Sequence, residues 1–125
     1  GSLTSGAVGV GFSNRTEAQA TLAVIGELTA AGGRFFRNAS GALSLAYVSA
    51  GRLQGYVEQH MHPWDCMAGQ LLIAEAGGQV EEQSADAMLA RGGRVIAGGA
   101  SVFVDLCRIA DESFGPLEVR ASHKI

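Results

Sequence analysis

The sequence predicts a layered α/β domain with a largely parallel sheet and helices on both faces. Two observations carry this. Strand-like and helix-like segments alternate along the 125 residues, the order that builds strand–helix–strand units with right-handed crossovers. In addition, three phrases, "TAAGGRFFR" at 29–37, "AEAGGQVEE" at 74–82 and "LARGGRVIA" at 89–97, each set a helix-like end against a Gly-Gly pair and follow it with a strand-like run. Their spacings differ, so they punctuate helix-to-strand passages and mark no solenoid repeat.

The elements follow in order. "AVGVGF" (7–12) reads as a strand. Asn14 and Glu17 form a capping-box pattern that opens a helix over about 15–31, with Gly32 as its stop. "RFFRN" (34–38) is a strand, and Ser40 caps a helix whose apolar positions Ala42, Leu43, Ala46 and Tyr47 keep helical spacing until Gly51. "LQGYVE" (53–58) is a strand, Asp65 to Ala76 a helix closed by Gly77-Gly78, and "RVIAG" (94–98) a strand. Gly92 reads as a further stop, but "ADAMLARGG" is short for a helix and reads equally well as a loop. Ser101 caps the last amphipathic helix, which runs to about Phe114.

Composition narrows the class. With 47% hydrophobic and 17% charged residues the chain is a folding sequence of one-domain length. A net charge of -3 leaves no basic footprint for nucleic acid. No apolar run is long enough to span a membrane and no signal pattern opens the chain, so the expected location is cytoplasmic. Cys66 and Cys107 lie in apolar helical patterns without a CxxC pair, which reads as two buried, reduced thiols.

In parallel α/β sheets ligands gather beyond the carboxyl ends of strands. That rule points to "NASGA" (38–42) and "EQHMHPWDC" (58–66). Asp65 either charges the N-terminus of the helix behind it or serves as a carboxylate ligand to a hard cation such as Mg²⁺. Ser40-Gly41-Ala42 opens a helix with small residues, a plain serine cap or a cradle of backbone N–H groups. Glu58 lies on the same rim, where alone it would be a surface acid. His60 and His62 alternate and can face one side; zinc would need a further ligand, and His123 lies in a polar tail, so exposed or substrate-rim histidines are the better reading. Trp64 reads as a core anchor beneath this loop. The glycines of "GAVGVGFSN" fail the dinucleotide-binding spacing because residue 14 is asparagine, and neither a P-loop nor a nucleophile elbow is present.

Taken together, "RNASGALSLAYVSAGRLQGYVEQHMHPWDCMAGQLLIAEAGG" resembles the C-terminal half of the inositol monophosphatase family. The pattern W-D-x-A-A/G-G-x-x-[ILV]-[ILV]-x-E-A-G-G is met at Trp64, Asp65, Ala68, Gly69, Leu72, Ile73 and the run Glu75 to Gly78, with Met67 in place of its first alanine; a looser likeness runs from about Gly6 to Phe114. The resemblance implies the αβαβα sandwich, of which residues 1–125 would be the single C-terminal α/β domain, and Mg²⁺-dependent hydrolysis of a phosphate monoester. It implies Asp65 as a metal ligand, Glu58 as the acid that binds inositol hydroxyls, and Ser40, Gly41 and Ala42 as the helix start that touches substrate. Where the family often has Gly-Thr-Ala, Gly41 replaces the threonine and removes a hydroxyl contact, which leaves sugar, nucleotide or other phosphates open as substrates.

The resemblance also shows what is missing. The family's upstream glutamate and Asp-Pro-[Ile/Leu]-Asp-Gly-[Thr/Ser] motif hold most of the metals. None of Asp65, Asp86, Asp105 and Asp111 stands in such a context. Metal-assisted phosphoryl transfer needs ions that bridge phosphate and nucleophile, and one aspartate cannot hold them. The chain is therefore expected to be half of such an enzyme, inactive alone, with the N-terminal half as its partner and a homodimer as its assembly. It is also expected to be prone to association, with the first strand (7–12) the element most exposed by loss of a neighbour. The rival reading is a non-enzymatic module that keeps half the fold to bind a small ligand or a protein.

Overall fold

A computed structural model describes residues 3–11, 18–36, 45–48, 50–51 and 53–115, with the backbone alone for Ser5, Pro63, Asp65, Cys66 and Ala85. A 3₁₀ turn, Leu3–Ser5, leads into β1 (Ala7–Gly11), α1 (Ala18–Ala30) and β2 (Arg34–Phe36). After a helical segment at 45–48 come β3 (Gly55–Met61), α2 (Pro63–Glu75), β4 (Gln79–Val80), α3 (Ala85–Arg91), β5 (Gly93–Gly98) and α4 (Ala100–Phe114). The Asn14–Glu17 capping box and the Ser40-Gly41-Ala42 helix start lie outside the described residues.

The glycine stops act as the sequence suggests. Gly32 and Gly77 adopt φ of +83° and +91°, which only glycine takes without strain. Behind each, the next amide reaches five residues back, Gly33 to the Leu28 carbonyl and Gly78 to the Ile73 carbonyl, both at 2.9 Å. This closure satisfies helix-end carbonyls that would otherwise lack a donor.

The sheet order is β2-β1-β3-β5-β4. β1 runs parallel to β2 and to β3, whereas β5 is antiparallel to both β3 and β4. β1 to β4 thus share one direction, the largely parallel arrangement expected, and β5 alone opposes them. The reversal follows from chain length: residues 81–92 hold only the short α3, and an antiparallel neighbour can be reached by a shorter connection than a parallel crossover.

Both faces are covered. On one, Val8, Val10, Val57 and Ile96 pack against α1 through Val24 and Leu28, and against α4 through Leu106 and Ile109. On the other, Tyr56, Val95 and Ala97 meet Leu45, Ile73 of α2 and Met88 of α3. Each such aliphatic side chain contributes about 1.5–3 kcal/mol when fully withdrawn from water, so the two clusters hold the layers together.

Several expectations are corrected. β1 is no open flank: it is paired on both sides and its valines are buried, while the sheet edges are β2 and β4. "ADAMLAR" does form a helix, capped by the Ser84 hydroxyl, which accepts from the Ala87 amide at 3.3 Å. Gly99, not Ser101, holds the N-cap position of α4. α2 begins at Pro63 behind His62, so Asp65 sits inside the first turn and is not its N-cap. Proline suits that first position because its fixed φ is helical and it has no amide hydrogen to leave without an acceptor. β3 starts later than expected and runs on to Met61, because a bulge between Glu58 and Met61 shifts the register against β5 by one residue. The shift turns Met61 into the same core cluster as Tyr56 despite the odd separation between them.

Candidate functional site

β3 is the middle strand of the sheet, parallel to β1 and antiparallel to β5, and the candidate site is assembled along it. Tyr56 and Glu58 stand two residues apart, so they project from one face of the strand. The Tyr56 hydroxyl donates to Glu58 Oε1 at 2.5 Å. Glu58 is only 7% exposed, not the surface acid that its sequence neighbourhood suggests. A carboxylate so withdrawn from water needs donors, and a hydroxyl bonded to a charged oxygen makes a short, strong interaction.

β1 leaves room for this pair. Gly9 lies opposite Tyr56 and Gly11 opposite Glu58 in the parallel ladder. A Cβ on Gly9 would come within 2.8 Å of the Tyr56 ring, and one on Gly11 would run into both the Tyr56 hydroxyl and Glu58 Oε1. The alternation is therefore functional in shape: Val8 and Val10 fill the core on one side, and bare backbone on the other lets the tyrosine lie flat.

Only His62 separates β3 from α2, whose first turn carries Asp65. This position suits an anionic side chain, since the helix dipole is positive there. The bulge and this abrupt turn bring the histidines together: the rings of His60 and His62 meet edge-on at 5.5 Å. His60 Nε2 donates to the Arg91 carbonyl at 2.8 Å, tying β3 to the end of α3. The bond supplies a structural use for this ring. Trp64 is not a core anchor: it is 76% exposed and stacks on His62 with centroids 4.5 Å apart and planes inclined by 12°. Proline at the first helical position turns the chain so early that Trp64 falls on the outer side of the helix.

Among the described residues no three His, Cys, Asp or Glu side chains gather where they could hold one metal ion. What the described chain offers is a buried carboxylate held by a tyrosine hydroxyl and, one residue beyond the end of that strand, a helix with an aspartate in its first turn. Cys107 is half-buried on α4. Sequence reasoning missed Tyr56, Gly9 and Gly11. The signal was there: a tyrosine two residues ahead of a strand glutamate, facing a strand in which glycine alternates with valine.

A second polar cluster lies away from this rim. Arg94 of β5 donates through Nε and Nη2 to both oxygens of Glu81, through Nη2 to Asp111 of α4, and through Nη1 to the Gly115 carbonyl. Burial alone would lower the pKa of this guanidinium, but the bonds to and charges of Glu81 and Asp111 outweigh it and hold the group above its ordinary value. The cluster fastens β4, β5 and the end of α4, with no feature that suggests chemistry.

Comparison with known proteins gives a consistent picture. The family model described as the inositol monophosphatase family matches residues 3–112. "Nus factor SuhB" of Salmonella typhimurium is 38% identical over 96 residues, covering 77% of this chain and 36% of that protein. "Inositol-1-monophosphatase" of Mesorhizobium japonicum is 47% identical over 62 residues, covering 50% of this chain and 23% of its own length. Among solved structures, inositol monophosphatase from Anabaena (Nostoc) sp. PCC 7120 superposes with a TM-score of 0.74 at 33% identity, over 89% of this chain and 45% of that one. Mycobacterium tuberculosis SuhB superposes with a TM-score of 0.72 at 32% identity, over 93% of this chain and 44% of that one. The chain thus spans less than half the length of the relatives it matches.

Proposed function

The chain belongs to the inositol monophosphatase family, and from that premise we propose that it is the C-terminal part of a Mg²⁺-dependent phosphatase acting on inositol monophosphate or a related sugar or nucleotide phosphate. One observation carries the reading: a single residue, His62, joins the strand that bears Glu58 to the helix whose first turn bears Asp65. A hydroxyl-binding acid and a metal-binding acid are thereby fixed on consecutive elements, the order in which a phosphorylated polyol would meet them.

In this reading Asp65 holds magnesium, assisted by the dipole of α2, and Glu58 accepts a hydroxyl of the substrate. Ser40, Gly41 and Ala42 complete the substrate wall. The bound ion would supply positive charge against the phosphate oxygens. Glu58 acts at a distance from phosphorus, by orientation. The remaining metal carboxylates are proposed to come from an upstream half, because relatives are about twice as long as this chain.

The surface of α2 agrees with such a neighbour. Trp64, Met67, Leu71 and Leu72 are all exposed on this one helix, and contiguous apolar surface of that kind marks a place where something packs. We place the protein in the cytoplasm as a homodimer without nucleic-acid partners; no helix among the described residues is long and apolar enough to cross a membrane. A second reading, a protein-binding module, is favoured by the name that several relatives carry, "Nus factor SuhB".

The test is phosphate release by the complete protein from myo-inositol 1-phosphate, fructose bisphosphate and nucleotide phosphates, with Mg²⁺ and with a chelator. Release that requires Mg²⁺ is expected. No release from any of these would refute the enzyme reading and leave the binding module.

A further inference from the structure

We propose that Tyr56 and Gly11 are positioning residues that fix the plane of the Glu58 carboxylate, and that this fixed plane determines which hydroxyl arrangement a polyol phosphate must present. The inference rests on the reading of Glu58 as the hydroxyl acceptor. It adds the device by which that acid becomes selective.

A glutamate side chain turns about several bonds, and a freely turning carboxylate accepts a hydroxyl from many directions. Here Oε1 is held by the Tyr56 hydroxyl at 2.5 Å. Tyr56 cannot turn in its place, because its ring is 2% exposed and packed among Leu45, Ile73 and Val95. From the other side the bare backbone of Gly11 stands opposite Glu58 in the ladder, and any side chain there would push against hydroxyl and carboxylate together. Gly9 serves the ring in the same way. The carboxylate is thus clamped between a rigid phenol and a rigid strand. A hydroxyl placed for one epimer finds it; a hydroxyl placed for another cannot recruit it by rotation, and buried polar groups left without their partner discriminate strongly.

A phenylalanine would fill the core as well as tyrosine, so the hydroxyl itself is the object of the test. The readout is the ratio of kcat/KM for myo-inositol 1-phosphate to kcat/KM for phenyl phosphate, which has no ring hydroxyl. It is measured in the complete protein, where the folded fraction cancels. Tyr56→Phe is expected to lower this ratio about tenfold, the effect of one hydrogen bond to a charged group. In a Glu58→Gln background the same change should lower it by less than about twofold, because residues in one network do not add.

If Glu58→Gln lowers the ratio and Tyr56→Phe does not, the positioning role is overturned and the reading of Glu58 stands. If Glu58→Gln itself leaves the ratio unchanged, that reading falls, and the positioning role with it. Should Tyr56→Phe fail to fold, Gly11→Ala carries the test: a lowered ratio supports the clamp, and an unchanged one overturns it.

Discussion

Arg94 and Glu81 meet as a two-pronged ion pair, Nε to Oε1 at 2.8 Å and Nη2 to Oε2 at 2.7 Å, with both residues buried. The planar fork of a guanidinium matches a carboxylate in this way, and the pair ties the residue just after β4 to β5. Asp111 adds a third arm from α4 at 2.6 Å.

Arg94→Met should therefore destabilise the fold by about 3–5 kcal/mol, since it leaves the Glu81 carboxylate buried without its guanidinium. The sign of its pH dependence is fixed by the raised arginine pKa. A group whose pKa rises on folding contributes fully below its unfolded value and loses that contribution only as pH climbs through the folded one. For an arginine both lie far above neutrality, so the loss should be the same at pH 6 and pH 9. Denaturant melts at the two pH values check this.

Asp65→Asn in the complete protein should cut turnover at least about a hundredfold, because even partners of metal ligands cost up to that much when changed. Its melting temperature should stay near that of the parent, since a single charge in the first turn of a helix contributes about 0.3–1 kcal/mol. Normal turnover with an unchanged Mg²⁺ requirement would return Asp65 to the role of a helix-start charge.

Glu58→Gln should raise KM for inositol phosphate by more than it lowers kcat. A group that binds hydroxyls remote from phosphorus touches ground and transition states about equally. Steady-state kinetics over a wide substrate range separate the two parameters, and a loss confined to kcat would contradict the role.

Residues 1–125 alone should release no phosphate and should associate through α2. Leu71→Lys, at a position 63% exposed, should shift the population toward monomer in sedimentation experiments by placing charge on the apolar face. An isolated chain that is monomeric and hydrolyses phosphate would refute both the incomplete site and the uncovered face.

How far the sequence could be read depends on what each feature rests on. The glycine stops were legible because positive φ is a property of one residue, and Gly32 and Gly77 needed no tertiary context. The layered class was legible because alternation is local. The reversal of β5 was not, since "RVIAG" has the same pattern whichever way it runs. The burial of Glu58 was hidden for a similar reason: its donor is nearby in sequence, but the space it occupies is made by glycines of a strand 47 residues earlier, at Gly11. Trp64 misled because a lone tryptophan before an apolar run resembles a core residue, whereas Pro63 starts the helix early enough to turn it outward.

β1 has one more consequence, for the newborn chain. Its register partners lie at Arg34–Phe36 and Gly55–Glu58, while the helix that packs on it is α1, the very next helix of the chain. A ribosome makes β1 early and must then synthesise 47 further residues, from Gly11 to Glu58, before its ladder with β3 can be completed. Closing so long a loop costs chain entropy that no local contact repays in advance. The earliest strand thus waits longest for its inner neighbour, and a nascent chain arrested before residue 55 would hold one side of the β1 backbone unpaired and open to any chaperone waiting at the tunnel exit.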